Sequence, residues 1–105
     1  MLSPKEHKNL EQYVQGIDVD RMSTAFDALG EPNRCLIFRA LLKNKAINVG
    51  QLASALGISE SLASQHLKTL LQADLVQRKR VGKNVYYMIR RGDALVTALK
   101  KAVEV

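Results

Sequence analysis

The chain has 105 residues, room for a single domain with one modest core. Its 47% hydrophobic share is ordinary, and no apolar run approaches the length of a membrane span. The lone cysteine, Cys35, excludes an intramolecular disulfide, and the polar start Met1-Leu2-Ser3-Pro4-Lys5-Glu6 lacks a signal-peptide core, so a soluble cytoplasmic protein is expected. The net charge of +6 favours a polyanionic partner. The charge is concentrated: from Leu75 to Gly92 there is no Asp or Glu, while Arg78, Lys79, Arg80, Lys83, Arg90 and Arg91 all fall there.

In chain order, Ser3-Pro4-Lys5-Glu6 predicts a capping box and a first helix carrying Leu10, Tyr13 and Val14 on one face. Asp18 or Asp20 is expected to cap a second helix, in which Met22, Ala25, Phe26 and Leu29 repeat at helical spacing and which Gly30 closes. Pro32 opens a third, with Leu36, Ile37, Ala40 and Leu41 as its apolar stripe and Cys35 and Phe38 beside it. Asn48 suits the cap of a short helix bearing Val49, Leu52, Ala53 and Leu56. Gly57 breaks that helix and Ser59 caps the next, expected over residues 60–73. Two helices joined through a short glycine turn form a helix-turn-helix.

The pattern then changes to strands. Residues 75–80 and 85–90, separated by Val81-Gly82-Lys83-Asn84, predict a β-hairpin. Asp93 caps a last helix with Leu95, Val96, Leu99, Ala102 and Val103 on its apolar stripe. The expected fold is mainly α with a small β-hairpin, one winged helix-turn-helix domain over residues 1–105, in the order α-α-α-α-α-β-β-α.

The fifth helix divides into two faces. Ala63, Leu67, Leu70 and Leu71 form one suited to packing, and Ser61, Ser64, Gln65 and Lys68 form a polar one. Serine and glutamine can reach base edges in a major groove, and lysine a phosphate. The basic hairpin, with Arg78, Lys79, Arg80 and Lys83 at and near its tip, supplies a wing for the DNA backbone. A solvated helix face, and an edge hairpin that uses charge against strand pairing, are the plainer readings. The helix-turn-helix and the wing together favour double-stranded DNA.

Ala28-Leu29-Gly30-Glu31-Pro32-Asn33-Arg34, Gln51-Leu52-Ala53, the stretch from Ser61 to Leu70 that reads Ser-Leu-Ala-Ser-Gln-His-Leu-Lys-Thr-Leu, Ala73-Asp74-Leu75-Val76 and Tyr86-Tyr87 resemble the ArsR/SmtB repressors over nearly the whole chain. The resemblance implies a homodimer joined by its terminal helices, with Leu10, Tyr13, Val14, Leu95, Leu99 and Val103 at the interface. It also implies an inverted-repeat operator and, carried over by position, DNA contacts at Ser61, Ser64 and Gln65. Ser59, Glu60 and Lys68 of the same helix, with Arg78, Arg80 and Lys83 of the wing, are the further candidate DNA-binding residues. Some relatives have a neutral polar residue at the position of Glu60, whose carboxylate would repel phosphate or accept from a cytosine amine. Metal-sensing relatives hold ligands at two places. Here Asn48 and Gly50 stand where one group has cysteines. Asp93 matches the first ligand of another group, but Leu95 occupies the histidine position and the final Ala102-Val103-Glu104-Val105 holds no histidine. No metal or other cofactor is expected, and the sequence names no inducer.

His66 is expected to pack or orient rather than ligate. Cys35 is expected to be a buried small hydrophobe, with a redox role as the alternative reading. An enzyme is not expected, because no nucleophile–base pair or phosphate loop is present. The competing function is a winged-helix protein-interaction module that no longer reads DNA.

Overall fold

The computed structural model describes residues 1–104; Val105 lies outside the described residues. The elements run α1 (Pro4–Gly16), α2 (Asp20–Leu29), α3 (Pro32–Lys43), β1 (Ile47–Asn48), α4 (Val49–Leu56), α5 (Glu60–Gln72), β2 (Val76–Val81), β3 (Asn84–Ile89) and α6 (Ala94–Val103). All the expected helices and both hairpin strands are present. The short strand β1 is an addition to the expected order. It pairs antiparallel with β3, Ile47 opposite Tyr87 and Asn48 opposite Tyr86, making a sheet of order β1-β3-β2. Two residues are too few to carry a period-two signal, and Asn48 also caps α4, which is how its sequence context reads.

Each helix starts where its cap chemistry dictates, with one exception. Ser3 and Glu6 form the reciprocal capping box of α1, and the Asp93 carboxylate accepts from the Leu95 and Val96 amides at 3.0 and 3.1 Å. The exception is α2, whose cap position is Val19. Asp18 instead accepts from the Asp20 amide at 3.0 Å, one position too early, and Asp20 is already helical.

The core gathers α2, α3, α5, α6 and the sheet. Ile37, Phe38 and Leu41 of α3, Leu67 and Leu70 of α5, and Leu75 are fully buried, each worth about 1.5–3 kcal/mol relative to exposure. Two helices are rotated from the expected facing. In α2 the small residues Ala25 and Ala28 face inward, which brings the backbones close and leaves Met22 and Phe26 on the surface. In α3, Phe38 takes the interior place and Leu36 is exposed, while Cys35 is half-buried rather than buried.

The terminal helices differ sharply. In α6, Leu99 and Val96 pack into the core, and Leu95 and Val103 are half-buried against it. Leu99, expected at a dimer interface, is therefore a core residue of its own chain, because the 10-residue α6 turns Val96 and Leu99 inward against α3. By contrast α1 buries no residue at all. It projects as an arm, and the Cα radius of gyration is 17.6 Å against about 13 Å for a compact chain of this length. The accessible surface of 7376 Å² likewise exceeds the roughly 5,900 Å² of a compact monomer of this mass.

A charged network locks α6 to the rest. Arg21 of α2 pairs with Asp93 at 2.8 Å, and Arg90 pairs with Asp74 at 3.1 Å and approaches Asp93 at 4.0 Å. The Arg21 hydrogen bond, with the Val96 amide next, holds the Asp93 carboxyl below its ordinary value. A lowered folded-state value means stability that is complete at neutral pH and lost as pH falls through the folded value. Asp93→Asn should therefore lower the thermal midpoint at neutral pH. The gap from the parent protein should close as pH falls below about 4, where the unfolded aspartate takes up its proton before the folded one does. Thermal melts across that range check both halves of the expectation.

Candidate nucleic-acid interface

The helix-turn-helix is built by three local devices. Asn48 and Gln51 form a reciprocal capping box at 2.8 and 3.0 Å, fixing the start of α4. Gly57 ends α4 in the left-handed region at φ +68°, a conformation that a side chain would strain. Two residues later the Ser59 hydroxyl accepts from the Leu62 amide at 3.1 Å and starts α5. The turn between the helices is thus only Gly57, Ile58 and Ser59.

This entry fixes which way α5 faces. Ala63, Leu67 and Leu70 are buried beneath it, and Ser61, Ser64, Gln65 and Lys68 are exposed on its outer side. Among the described residues, none of those four side chains makes an internal hydrogen bond or ion pair, so their donors and acceptors are available to a partner. Glu60 has an internal neighbour. A Cβ built on Gly50 would lie 2.9 Å from its Oε1, so the carboxylate rests over the first turn of α4. A negative charge is favourable at that helix end, which gives Glu60 a role inside the motif in place of repelling phosphate.

The wing is the β2–β3 hairpin, with Val81 opposite Asn84 and only Gly82 and Lys83 between them. Gly82 sits at φ +63°, the positive φ that the first position of a two-residue hairpin turn demands. Along β2 only Val76 is buried, and Arg78, Lys79 and Arg80 are exposed, with the Arg80 Nε donating to the Gly82 carbonyl at 3.1 Å. Tyr87 is buried and Tyr86 half-buried. Arg90 differs from the other cations of the run, since its guanidinium is held by Asp74. A groove between helix and wing is lined by Ser64, Lys68, Gln72, Arg78 and Tyr87, so the polar face of α5 and the base of the wing are continuous.

Sequence reasoning missed the polar arrangement beneath α5. His66, expected to pack or orient, is 9% exposed, and its Nδ1 lies 3.4 Å from an Arg34 guanidinium nitrogen. The only signal in the sequence is its position one residue from the polar stripe.

A helical core that presents a capped, outward-facing second helix beside a basic β-hairpin defines a winged helix-turn-helix protein. Residues 31–78 match the bacterial regulatory protein, arsR family. The chain belongs to that family. The transcriptional repressor SmtB homolog of Synechocystis sp. is 35% identical over 83 residues, covering 78% of this chain and 62% of that protein, so the chain spans less than two-thirds of that relative's length. The crystal structure of NolR from Sinorhizobium fredii matches with a TM-score of 0.68 at 31% identity, over 99% of this chain and 93% of that one. The homodimeric winged helix-turn-helix DNA-binding domain from Mycobacterium bovis, a possible ArsR-family transcriptional regulator, matches with a TM-score of 0.71 at 25% identity, over 98% of this chain and 84% of that one.

Proposed function

We propose that this chain is a DNA-binding transcriptional regulator, a homodimeric repressor that places α5 in the major groove and its wing along the backbone. The observation that carries the reading is the row Ser61, Ser64, Gln65 and Lys68, exposed on the outer face of α5 and without internal partners among the described residues. Ser61, Ser64 and Gln65 read bases. Lys68, Arg78, Arg80 and Lys83 meet phosphates, and Ser59 and Glu60 set the start of the helix. Family membership and the relatives' names as repressors support regulation over the interaction-module and enzyme readings.

Dimer formation is supported by α1. An isolated helix of this length is marginal in water, and here its Leu10, Tyr13 and Val14 are 44%, 68% and 60% exposed on their own chain. Burial against a second copy supplies the missing partner, and the similar domain from Mycobacterium bovis is homodimeric. Two-fold symmetry then favours an inverted-repeat operator, with half-sites about 34–36 Å apart. Neither metal-ligand set of the family is present at Asn48 and Gly50 or at Leu95, and the Asp93 carboxylate is engaged by Arg21 and the α6 amides.

Titration of duplex DNA at rising salt tests the reading. Affinity should fall steeply, because each phosphate contact releases counterions. Lys83→Ala should weaken specific and nonspecific duplexes alike and reduce the salt slope by about one. A salt-insensitive affinity, or no binding to duplex DNA, contradicts it.

A further inference from the structure

We propose that the cavity between the end of α3, the end of β3 and α6 binds a small organic carboxylate carried on a single ring. The site is separate from the DNA-facing surface, because Ile89 stands at the end of β3 away from the Asn84 turn. Its floor is apolar: Ile89 and Val96 are buried and Leu42 of α3 is half-buried. The volume is about 150 Å³, room for a benzene-sized ring.

The mouth is cationic. Arg91 and Lys100 line it, both exposed and without a hydrogen bond or ion pair among the described residues. Arg90 lines it too, but its guanidinium is held by Asp74 at 3.1 Å and lies 4.0 Å from Asp93. Asp93 is itself engaged by Arg21 at 2.8 Å and by the Leu95 and Val96 amides. Among the described residues, no Asp or Glu lines the cavity. The Thr97 hydroxyl on the same wall donates its one proton to the Asp93 carbonyl at 2.9 Å, so it has none to offer an anion. Arg91 and Lys100 are therefore the anion's partners. These features set the chemistry of the occupant. Low-dielectric walls focus the field of both cations on the mouth, and an apolar group seated behind it leaves water. A bare small anion gains only the charges, and a neutral ring gains only the floor. A ring carboxylate gains both, with its two oxygens matched to the fork of the Arg91 guanidinium.

Methyl NMR titration of the intact, DNA-free protein tests the site, with benzoate as the probe and acetate and benzyl alcohol as controls at constant ionic strength. Benzoate should bind saturably at about 1 mM or tighter and move the Leu42, Ile89 and Val96 methyl signals. Acetate and benzyl alcohol should each bind at least about tenfold more weakly. Arg91→Gln and Lys100→Gln should each weaken benzoate by about 3- to 10-fold. Neither should change benzyl alcohol binding or the thermal midpoint, because both side chains are exposed. Lys8→Gln on the α1 arm should leave benzoate binding unchanged, which controls for the general attraction of a basic protein for anions. Benzoate that does not saturate, shifts that avoid the three cavity methyls, acetate as tight as benzoate, or an equal loss in Lys8→Gln overturns the site. Benzyl alcohol as tight as benzoate leaves an apolar hollow and overturns the anion. With no DNA present, failure of this titration leaves DNA reading intact, and failure of DNA reading leaves this result standing.

Discussion

Gln65→Ala is expected to lower affinity for the operator by roughly 10- to 100-fold and to leave nonspecific DNA binding nearly unchanged. A glutamine amide that meets an adenine edge makes two hydrogen bonds, worth about 1–3 kcal/mol of discrimination. The side chain is exposed, and without an internal partner among the described residues, so its truncation leaves no cavity and no orphaned buried group. Folding stability should hold, which separates this variant from a core substitution such as Leu70→Ala one turn further along the same helix. Paired titrations against operator and random duplex, with a thermal melt of each variant, measure the difference. Equal losses on both duplexes would show that Gln65 contributes to docking alone.

A second large effect is expected at the projecting arm. Tyr13→Asp combined with Val14→Asp should yield a folded monomer whose operator affinity is lower by at least about 100-fold, because two linked half-site contacts become one. The fold should survive because α1 buries none of its residues in its own chain. Leu99→Ala makes the informative contrast. Leu99 is 4% exposed within the protomer core, so its truncation should cost about 2–5 kcal/mol of protomer stability and act on association only secondarily. Sedimentation and thermal melts together separate the two outcomes. A double Asp variant that remained dimeric would move the interface away from α1.

Much of this architecture is legible in the sequence because local chemistry decides it. The pairs Ser3–Glu6 and Asn48–Gln51, the Ser59 hydroxyl and the Asp93 carboxylate each mark a helix start by a bond that spans a single turn. Gly57 and Gly82 mark breaks by backbone conformation. The features that escape such reading depend on what lies across the fold. The rotation of α2 that buries Ala25 and exposes Phe26 is set by close approach to α3, and strand β1 exists because β3 offers an edge at Tyr86 and Tyr87. The Arg34–His66 contact spans 32 positions of sequence. Leu99 reads as interface because an apolar stripe does not say whether its partner is the same chain or another.

The candidate interface divides along the same line. The face of α5 follows from helical periodicity, so the sequence alone groups Ser61, Ser64, Gln65 and Lys68. The diversion of Glu60 onto the first turn of α4 and the engagement of Arg90 by Asp74 leave no such trace, since both depend on tertiary neighbours.

Selection from a randomised duplex library by the intact protein tests the central claim most directly. The expected result is an enriched inverted repeat whose half-site centres lie about one DNA turn apart, with the enrichment lost in Gln65→Ala. A library that returns no enriched sequence, or the same sequence from the parent and Gln65→Ala proteins, would contradict base reading by α5.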